Sequence, residues 1–278
     1  MLEQLLRLAQ KARTDHAIKP LVEACRRLLS ERGQANVYDL ALQVIEGYRA
    51  LAPTRREAFF ASLATGFAPA PDAVLSAANN LLGKAQLPAN AGRYALVVDP
   101  LIDGVTGMQS NATQAMGARL ADLIRKSYPQ YDLQTFNAPN VAKSPLVLVG
   151  TFTGVNGQRR AEGQREAFRI CLALADLKTG KLVSKGLAFA AKDGVDITPT
   201  AFFRDAPAWL DDANTTGYVR TCQGTKAGDP IHPAYLERIQ SAATISEAID
   251  AYSAGRYAEA LKLYNGVAAA PSGKQLRV

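Results

Sequence analysis

The amino-acid sequence predicts a multi-domain α+β protein: an N-terminal helical bundle, a small α/β sheet domain and a C-terminal pair of helices. Three observations predict this class. Apolar residues recur at helical spacing through residues 1–83, short apolar runs typical of buried strands begin at Tyr94, and helical spacing returns after residue 232. A chain of 278 residues is long enough for two ordinary domains.

Domain 1–83 carries several apolar stripes, each of which indicates one amphipathic helix. The longest stripe comprises Val37, Leu40, Ala41, Val44, Ile45, Tyr48 and Leu51. Thr54 and Glu57 have capping-box spacing, and a last helix is predicted from Pro71 to Leu82. Because each helix can bury only one stripe, the helices are expected to pack on one another or on a partner.

Segment 84–93 contains Gly, Pro and Asn without periodicity, so it is predicted to be a linker. The sheet domain is predicted to span 94–232. Its first two strands are predicted from the continuous apolar runs Tyr94–Val98 and Leu146–Val149, the second continuing into Phe152, and such runs indicate that both faces are buried. Apolar positions from Ala115 to Ile124 predict a helix between these strands.

A hairpin follows in the predicted sheet domain. Its first strand alternates at Phe168, Ile170, Leu172 and Leu174, which predicts one covered face. Asp176–Gly180 is the predicted turn, and 182–189 is the returning strand. Residues 192–232 are predicted to be irregular. Trp209 in this segment is interpreted as an anchor that packs the loop on the sheet, with an exposed partner-binding aromatic residue as the alternative.

The C-terminal segment 233–278 is predicted to form two helices that meet at Gly255. Small residues around this break allow close approach of the helices, aromatic residues fill the space between them, and the segment Ala248–Tyr264 is similar to a tetratricopeptide helix pair. Helix pairs of this type bury their faces against neighbouring pairs. The sequence therefore predicts a partner-binding surface that includes Tyr252, Tyr257 and Tyr264.

Composition and charge pattern argue against several classes of function. The net charge of +7 is not gathered into runs of like charge, so no nucleic-acid partner is predicted. No apolar stretch reaches the length of about 18 residues that a membrane span requires. The N-terminus also lacks the pattern of a secretory signal, which predicts a cytoplasmic location for the chain as written.

The catalytic motifs of common enzyme classes are missing, including G-x-S-x-G, H-E-x-x-H and G-x-G-x-x-G after a strand. Three cysteines and two histidines without a C-x-x-C pair do not supply a zinc site, so neither a metal nor a cofactor is predicted. Cys171 and Cys222 are predicted to share one domain, where they could form a disulfide in an oxidising compartment. His232 precedes Pro233 and is interpreted as the start of a helix.

The loop from Asp99 to Gly107 is the strongest candidate for a binding site. It follows a buried strand and precedes a helix, the position at which α/β folds bind ligands. The carboxylates of Asp99 and Asp103 could hold a cation. The interpretation favoured by the sequence is that they shape and cap turns.

Two parts of the chain resemble different families. Residues 1–80, through Cys25–Gly33, Tyr48–Leu51 and Arg56–Ala64, resemble the helical N-terminal domain of malonyl-CoA decarboxylase. In that family the domain mediates oligomerisation. The resemblance implies a docking module rather than decarboxylation, because the catalytic His and Ser motif of the family has no match here.

Residues 90–278 resemble the region ahead of the peptidoglycan-binding domain in proteobacterial OmpA-family proteins with tetratricopeptide repeats. The residues that carry this resemblance are Arg93–Gly107, Ser144–Thr153, Arg169–Asp176 and Thr221–Thr225. It implies a non-enzymatic envelope protein. Because the two resemblances imply different compartments, the sequence is interpreted as a fusion, a rearranged reading frame or an artificial chain, joined between Ser76 and Asn90.

The leading hypothesis is therefore a non-catalytic binding or scaffold protein that acts on a protein partner or by self-association. The alternative is a protein or fragment related to malonyl-CoA decarboxylase that retains only the oligomerisation domain. A third hypothesis is a sensor of a small ligand or cation at the Asp99–Gly107 loop.

Overall fold

The computed structural model describes residues 45–53, 56, 70–87, 92–192, 194–205 and 213–270. Most of the predicted N-terminal helices, and the prediction for Trp209, lie outside these residues. The chain divides into two compact units, Met1–Phe67 and Ala68–Val278. In the first unit, residues 45–50 are helical, in agreement with the apolar stripe that passes through Ile45 and Tyr48.

The second unit contains a mixed sheet of six strands, which confirms the predicted α+β class. The strands are β1 (Tyr94–Val98), β2 (Ile102–Asp103), β3 (Tyr131–Gln134), β4 (Leu146–Val155), β5 (Ala167–Asp176) and β6 (Lys181–Ala191). Their order is β3-β1-β4-β5-β6, and the short β2 pairs with β4. Strands β3, β1 and β4 are parallel, whereas β5 is antiparallel to both β4 and β6.

The helices of this unit are α1 (Ala70–Gly83), α2 (Asn111–Ser127), α3 (Ala138–Val141), α4 (Ala201–Asp205), α5 (Ala213–Cys222), α6 (Pro233–Ser253) and α7 (Tyr257–Ala269). Helix α2 begins with a capping box, in which Ser110 and Thr113 each accept a hydrogen bond from the other's backbone N–H. The predicted helix between the first two strands and the predicted C-terminal helix pair are both confirmed.

Helices α1 and α2 contribute to the core on one face of the sheet. The residues that α1 contributes to this core are Ala73, Val74, Ala77, Ala78, Leu81 and Leu82. The helix can lie this close because Gly186 of β6 has no side chain: a Cβ there would collide with the backbone carbonyl of Ala77. Ser184 also donates a 2.7 Å hydrogen bond to the carbonyl of Leu81.

This position of α1 differs from the predicted domain boundary, which assigned the helix to the bundle 1–83. Helical spacing identifies which face of a helix is apolar, but it does not identify the surface that covers that face. Here the small side chains of α1 fit the surface of β6, so the helix belongs with the sheet.

Helices α5 and α6 cover the opposite face of the sheet. Their buried residues Tyr218, Cys222, Tyr235, Ile239 and Ala243 share one core with Val147, Val149, Cys171, Ala173 and Ala175 from the strands. Three predictions are corrected by this packing. Segment 192–232 is not irregular throughout, β5 is covered on both faces rather than one, and α6 packs on the sheet instead of starting a separate domain at residue 233.

The sequence did not predict this packing because the side chains on this face of the sheet are small. Ala173 and Ala175 do not stand out as apolar positions in an alternating pattern, yet small residues allow a helix to approach closely. In the same way α5 contains few strongly apolar residues, and its side of the core consists of the buried Tyr218 and Cys222 with the partly buried Val219.

Candidate functional site

The loop that follows β1 lies at the carboxyl ends of the parallel strands. Strand β1 has β3 on one side and β4 on the other, so the connections that leave this part of the sheet diverge here. Ligands of α/β folds bind in the crevice at such a position. Two cavities, of about 340 Å³ and 90 Å³, flank the loop, and both are lined by Pro100 and Gln109.

Asp99, a predicted site residue, is buried and leaves only 7% of its surface exposed. Its Oδ2 atom accepts a 2.6 Å hydrogen bond from the hydroxyl of Tyr235, which lies on α6. Burial raises the pKa of the Asp99 carboxyl to about 7, against the opposing effect of the Tyr235 hydrogen bond. Asp99 is therefore a carboxyl group that changes charge near neutral pH.

Tyr218 of α5 fixes the same loop from the other side. Its hydroxyl oxygen accepts a 2.8 Å hydrogen bond from the N–H of Gly150 and lies 3.0 Å from the carbonyl oxygen of Pro100. The rings of Tyr218 and Tyr235 meet edge to face, with centroids 5.6 Å apart. Burial raises the pKa of both phenols well above the ordinary value, so both remain neutral donors.

Asp103, the second predicted carboxylate, caps the turn that follows β2. Its Oδ1 atom accepts hydrogen bonds from the N–H of Val105 at 2.9 Å, and from the N–H and hydroxyl of Thr106 at 2.8 and 3.1 Å. These contacts favour the turn-shaping role over a cation ligand. Across the described residues, no group of three or more His, Cys, Asp and Glu side chains could hold a metal ion.

Each cavity beside the loop is lined by one residue with a side-chain amide, Gln134 in the larger cavity and Asn214 in the smaller one. The Oε1 atom of Gln134 and the Oδ1 atom of Asn214 are buried and have no hydrogen-bond partner among the described residues. The titratable acid of this site is Asp99, whose pKa is raised to about 7.

The predicted cysteine pair is brought together by the packing of α5 on β5. The Sγ atoms of Cys171 and Cys222 lie 2.6 Å apart, and both are buried free thiols. The hydrogen bond from Cys222, aided by the cations of Lys185 and Arg169, lowers the pKa of Cys171, whereas burial raises the pKa of Cys222. The contact places the two thiols where a disulfide could form, and the disulfide itself stays a prediction.

The predicted tyrosine surface contains residues in two different environments. Tyr252 and Tyr264 pack on Phe202 of α4, with ring centroids 5.7 and 5.9 Å from it. The ring of Tyr257 contacts that of Tyr252, with centroids 5.2 Å apart, but 62% of the surface of Tyr257 is exposed. Sequence reasoning missed Phe202, although two adjacent phenylalanines in a polar segment were a usable signal.

These contacts define an aromatic cluster of Phe202, Tyr252, Tyr257 and Tyr264 that joins α4, α6 and α7. The hydroxyl of Tyr252 also contacts the Oδ2 atom of Asp205 at 3.3 Å. His232, the remaining residue considered in the sequence, immediately precedes α6, as predicted. Trp209 lies outside the described residues.

The fold and site together define an α+β protein with a mixed six-stranded sheet, helices on both faces and a C-terminal helix pair. No protein-family model, curated protein or solved structure matches this chain. Among the described helices, none is long and apolar enough to span a membrane.

Proposed function

We propose that this chain is a non-catalytic binding or scaffold protein that acts through protein–protein contacts. The observation that carries the proposal is the exposed apolar face of α7. Tyr257 and Leu261 lie one helical turn apart and leave 62% and 60% of their surfaces exposed. Within this 13-residue helix only Ala260 and Val267 are buried.

The composition of α7 sets it apart from an ordinary surface helix. Ala258, Ala268 and Ala269 are also exposed, and the helix has only two charged residues, Glu259 and Lys262. A helix at a protein surface usually turns a polar face to solvent. Single exposed apolar side chains are normal, but a group of them on one element is typical of an interaction surface.

The aromatic cluster supplies a rigid support for this surface. Tyr252 and Tyr264 pack on Phe202, Tyr257 packs on Tyr252, and Arg256 forms a 2.8 Å ion pair with Glu259 at the start of α7. A surface that is ordered before binding loses less conformational entropy when a partner docks. This division of roles supports Tyr257 and Leu261 as the contact residues.

The partner that fits this surface is an apolar helix face. Residues spaced by four along a helix pack between the side chains of a second helix. Helix pairs of the tetratricopeptide type, which α6 and α7 resemble, bury their outer faces in this way. The resemblance to OmpA-family proteins adds an envelope location to the proposal.

The experiment is photo-crosslinking of the full chain, with a photoreactive phenylalanine analogue at position 257 and, as the control, at the exposed Ile197. We expect position 257 to give one defined product, with a second copy of this chain or with one envelope protein. Leu261→Lys should abolish that product, whereas Ile197→Lys should leave it unchanged. Equal products at both positions, or no product at position 257, would contradict the proposal.

A separate assay tests the non-catalytic part of the proposal. Incubation of the chain with malonyl-CoA should give no acetyl-CoA above the buffer control. Formation of acetyl-CoA would instead support the alternative, a protein related to malonyl-CoA decarboxylase.

A further inference from the structure

A second cavity system lies on the sheet face that α5 and α6 cover only in part. Along β4 and β5 this face is apolar at Val149 and Ala173 but becomes polar further on, where Thr153 pairs with Arg169. A cavity of about 680 Å³ opens there, between β5, β6 and the loop 223–227. This volume falls within the range of about 300–1,000 Å³ that is typical of small-molecule sites.

The charges around this cavity have a single sign. Arg169 and Lys185 line its floor from the strands, and the exposed Lys84 and Lys226 line its rim. None of the described residues that line it is acidic. A concave surface with charges of one sign raises the local concentration of ions of the other sign.

Arg169 is held in place by a chain of hydrogen bonds. Its Nη2 atom donates to the Oε1 atom of Gln223 at 2.9 Å. The amide nitrogen of Gln223 in turn contacts the hydroxyls of Thr151 at 3.2 Å and Thr153 at 3.4 Å, and both threonines are fully buried. A guanidinium that is oriented in advance is suited to planar, two-point recognition of an oxyanion.

One donor of this guanidinium is unused. The Nε atom of Arg169 is buried and has no hydrogen-bond partner among the described residues. A buried donor without an acceptor costs free energy, since it has lost its hydrogen bonds to water. Because this atom is closed to solvent, an oxyanion in the cavity could supply the missing acceptor only after the Arg169 side chain turns toward the cavity.

Lys185 has a different role from Arg169. Its ammonium group donates to the carbonyl of Thr225 at 2.8 Å, to the hydroxyl of Thr225 at 3.1 Å and to the carbonyl of Cys222. These three acceptors use its three donors. Lys185 therefore contributes a fixed positive charge and holds the loop, while Arg169 keeps donors for a ligand.

We infer that this cavity binds a small-molecule oxyanion, with Arg169 as the residue that grips its carboxylate or phosphate group and Lys84 and Lys226 at the rim. The cavity is distinct from the α7 surface, so anion binding here does not depend on the proposed protein contacts.

The test is calorimetric titration of the full chain at low ionic strength with citrate, inorganic pyrophosphate and, as a neutral control, ribose. We expect one-site, saturable binding of at least one anion and none of ribose. The preferred anion distinguishes a carboxylate ligand from a phosphate ligand. Added salt should weaken binding, because part of the attraction comes from exposed charges.

Three substitutions test whether the anion binds in this cavity. Arg169→Gln should weaken affinity on the order of tenfold or more, as expected for loss of a charge-assisted hydrogen bond. Lys226→Glu should weaken it too, and this change at an exposed residue keeps the test decisive if Arg169→Gln fails to fold. Arg119→Gln, an exposed residue of α2 outside the cavity, should have no effect. Absence of saturable anion binding, or binding that Lys226→Glu leaves unchanged, would overturn the inference.

Discussion

The hydroxyl of Tyr235 donates a 2.6 Å hydrogen bond to the carboxylate of Asp99, and this bond ties α6 to the end of β1. The two residues are 136 positions apart in the chain. Their contact makes the C-terminal helix pair part of the sheet structure. It also places a titratable acid in the core, where its charge affects the free energy of unfolding.

The pKa of Asp99 predicts a pH dependence of stability. Burial raises this pKa from 3.8 to about 7, so between these values the folded protein holds a proton that the unfolded chain releases. The free energy of unfolding should therefore fall as pH rises from about 4 to about 7, and then level off. Each unit of the raised pKa corresponds to about 1.4 kcal/mol.

Asp99→Asn should remove this dependence, because the amide stays neutral and can still accept the Tyr235 hydrogen bond. We expect the variant to be more stable than the wild type at about pH 8 and similar to it at about pH 4. Urea unfolding across this pH range measures the effect, with Asp122→Asn at an exposed site as the control. Parallel stability profiles for Asp99→Asn and the wild type would show that the prediction is wrong.

The contact between Cys171 and Cys222 predicts a disulfide under oxidising conditions. The bond would close a loop of about 50 residues and stabilise the fold by about 4 kcal/mol if it causes no strain. Oxidised chain should then retain one reactive thiol of its three, that of Cys25, when assayed in denaturant. Cys222→Ser should abolish the gain in urea midpoint on oxidation, whereas Cys25→Ser should preserve it. Three reactive thiols after oxidation would contradict the pairing.

Two glycines should respond in opposite directions to alanine. Gly186→Ala places a Cβ against the backbone of Ala77, so α1 must shift, and we expect a loss of about 1–3 kcal/mol. Gly117→Ala in α2 meets nothing within 4 Å, and we expect a gain of about 0.5–1 kcal/mol from better helix propensity. Thermal unfolding of both variants measures the difference. Equal destabilisation by the two changes would argue against close packing of α1 on β6.

The position of α1 also predicts where the chain can be divided. A fragment of residues 68–278 should fold cooperatively, since it retains the apolar face that α1 places on the sheet. A fragment of residues 94–278 lacks α1, so it should expose that face and bind an apolar dye. Circular dichroism during urea unfolding compares the two fragments. Equal stability would favour the predicted linker at 84–93 as the true boundary.

Individual elements of the sheet unit followed from local pattern. The strand at Tyr94–Val98, the strand that contains Phe168 to Leu174 and the turn at Gly180, with a φ of +69°, all appear where the sequence predicts them. Strand β3 was missed because Tyr131–Gln134 is short and half polar. Helix α5 was missed for a similar reason, since its apolar content is low.

The sequence predicted where the candidate site lies along the chain, but it did not predict which residues contact the loop. The strand–loop–helix order pointed to Asp99–Gly107, and the structure places this loop at the crevice of the parallel strands. The side-chain hydrogen-bond partners of Asp99 and Pro100 are Tyr235 of α6 and Tyr218 of α5, more than 100 residues later in the chain. No local pattern in the sequence connects Tyr235 or Tyr218 to this loop.

The sequence by itself determined the class of fold, most strands and helices of the second unit, and the position of the loop after β1. Those features depend on spacing along the chain, which is fixed by the 3.6-residue and two-residue periods of helix and strand. Only the tertiary structure decided that α1 and α6 belong to the sheet, that Cys171 meets Cys222, and that Arg169 lies in a cationic cavity. Such contacts join residues far apart in sequence, and packing of complementary surfaces selects them.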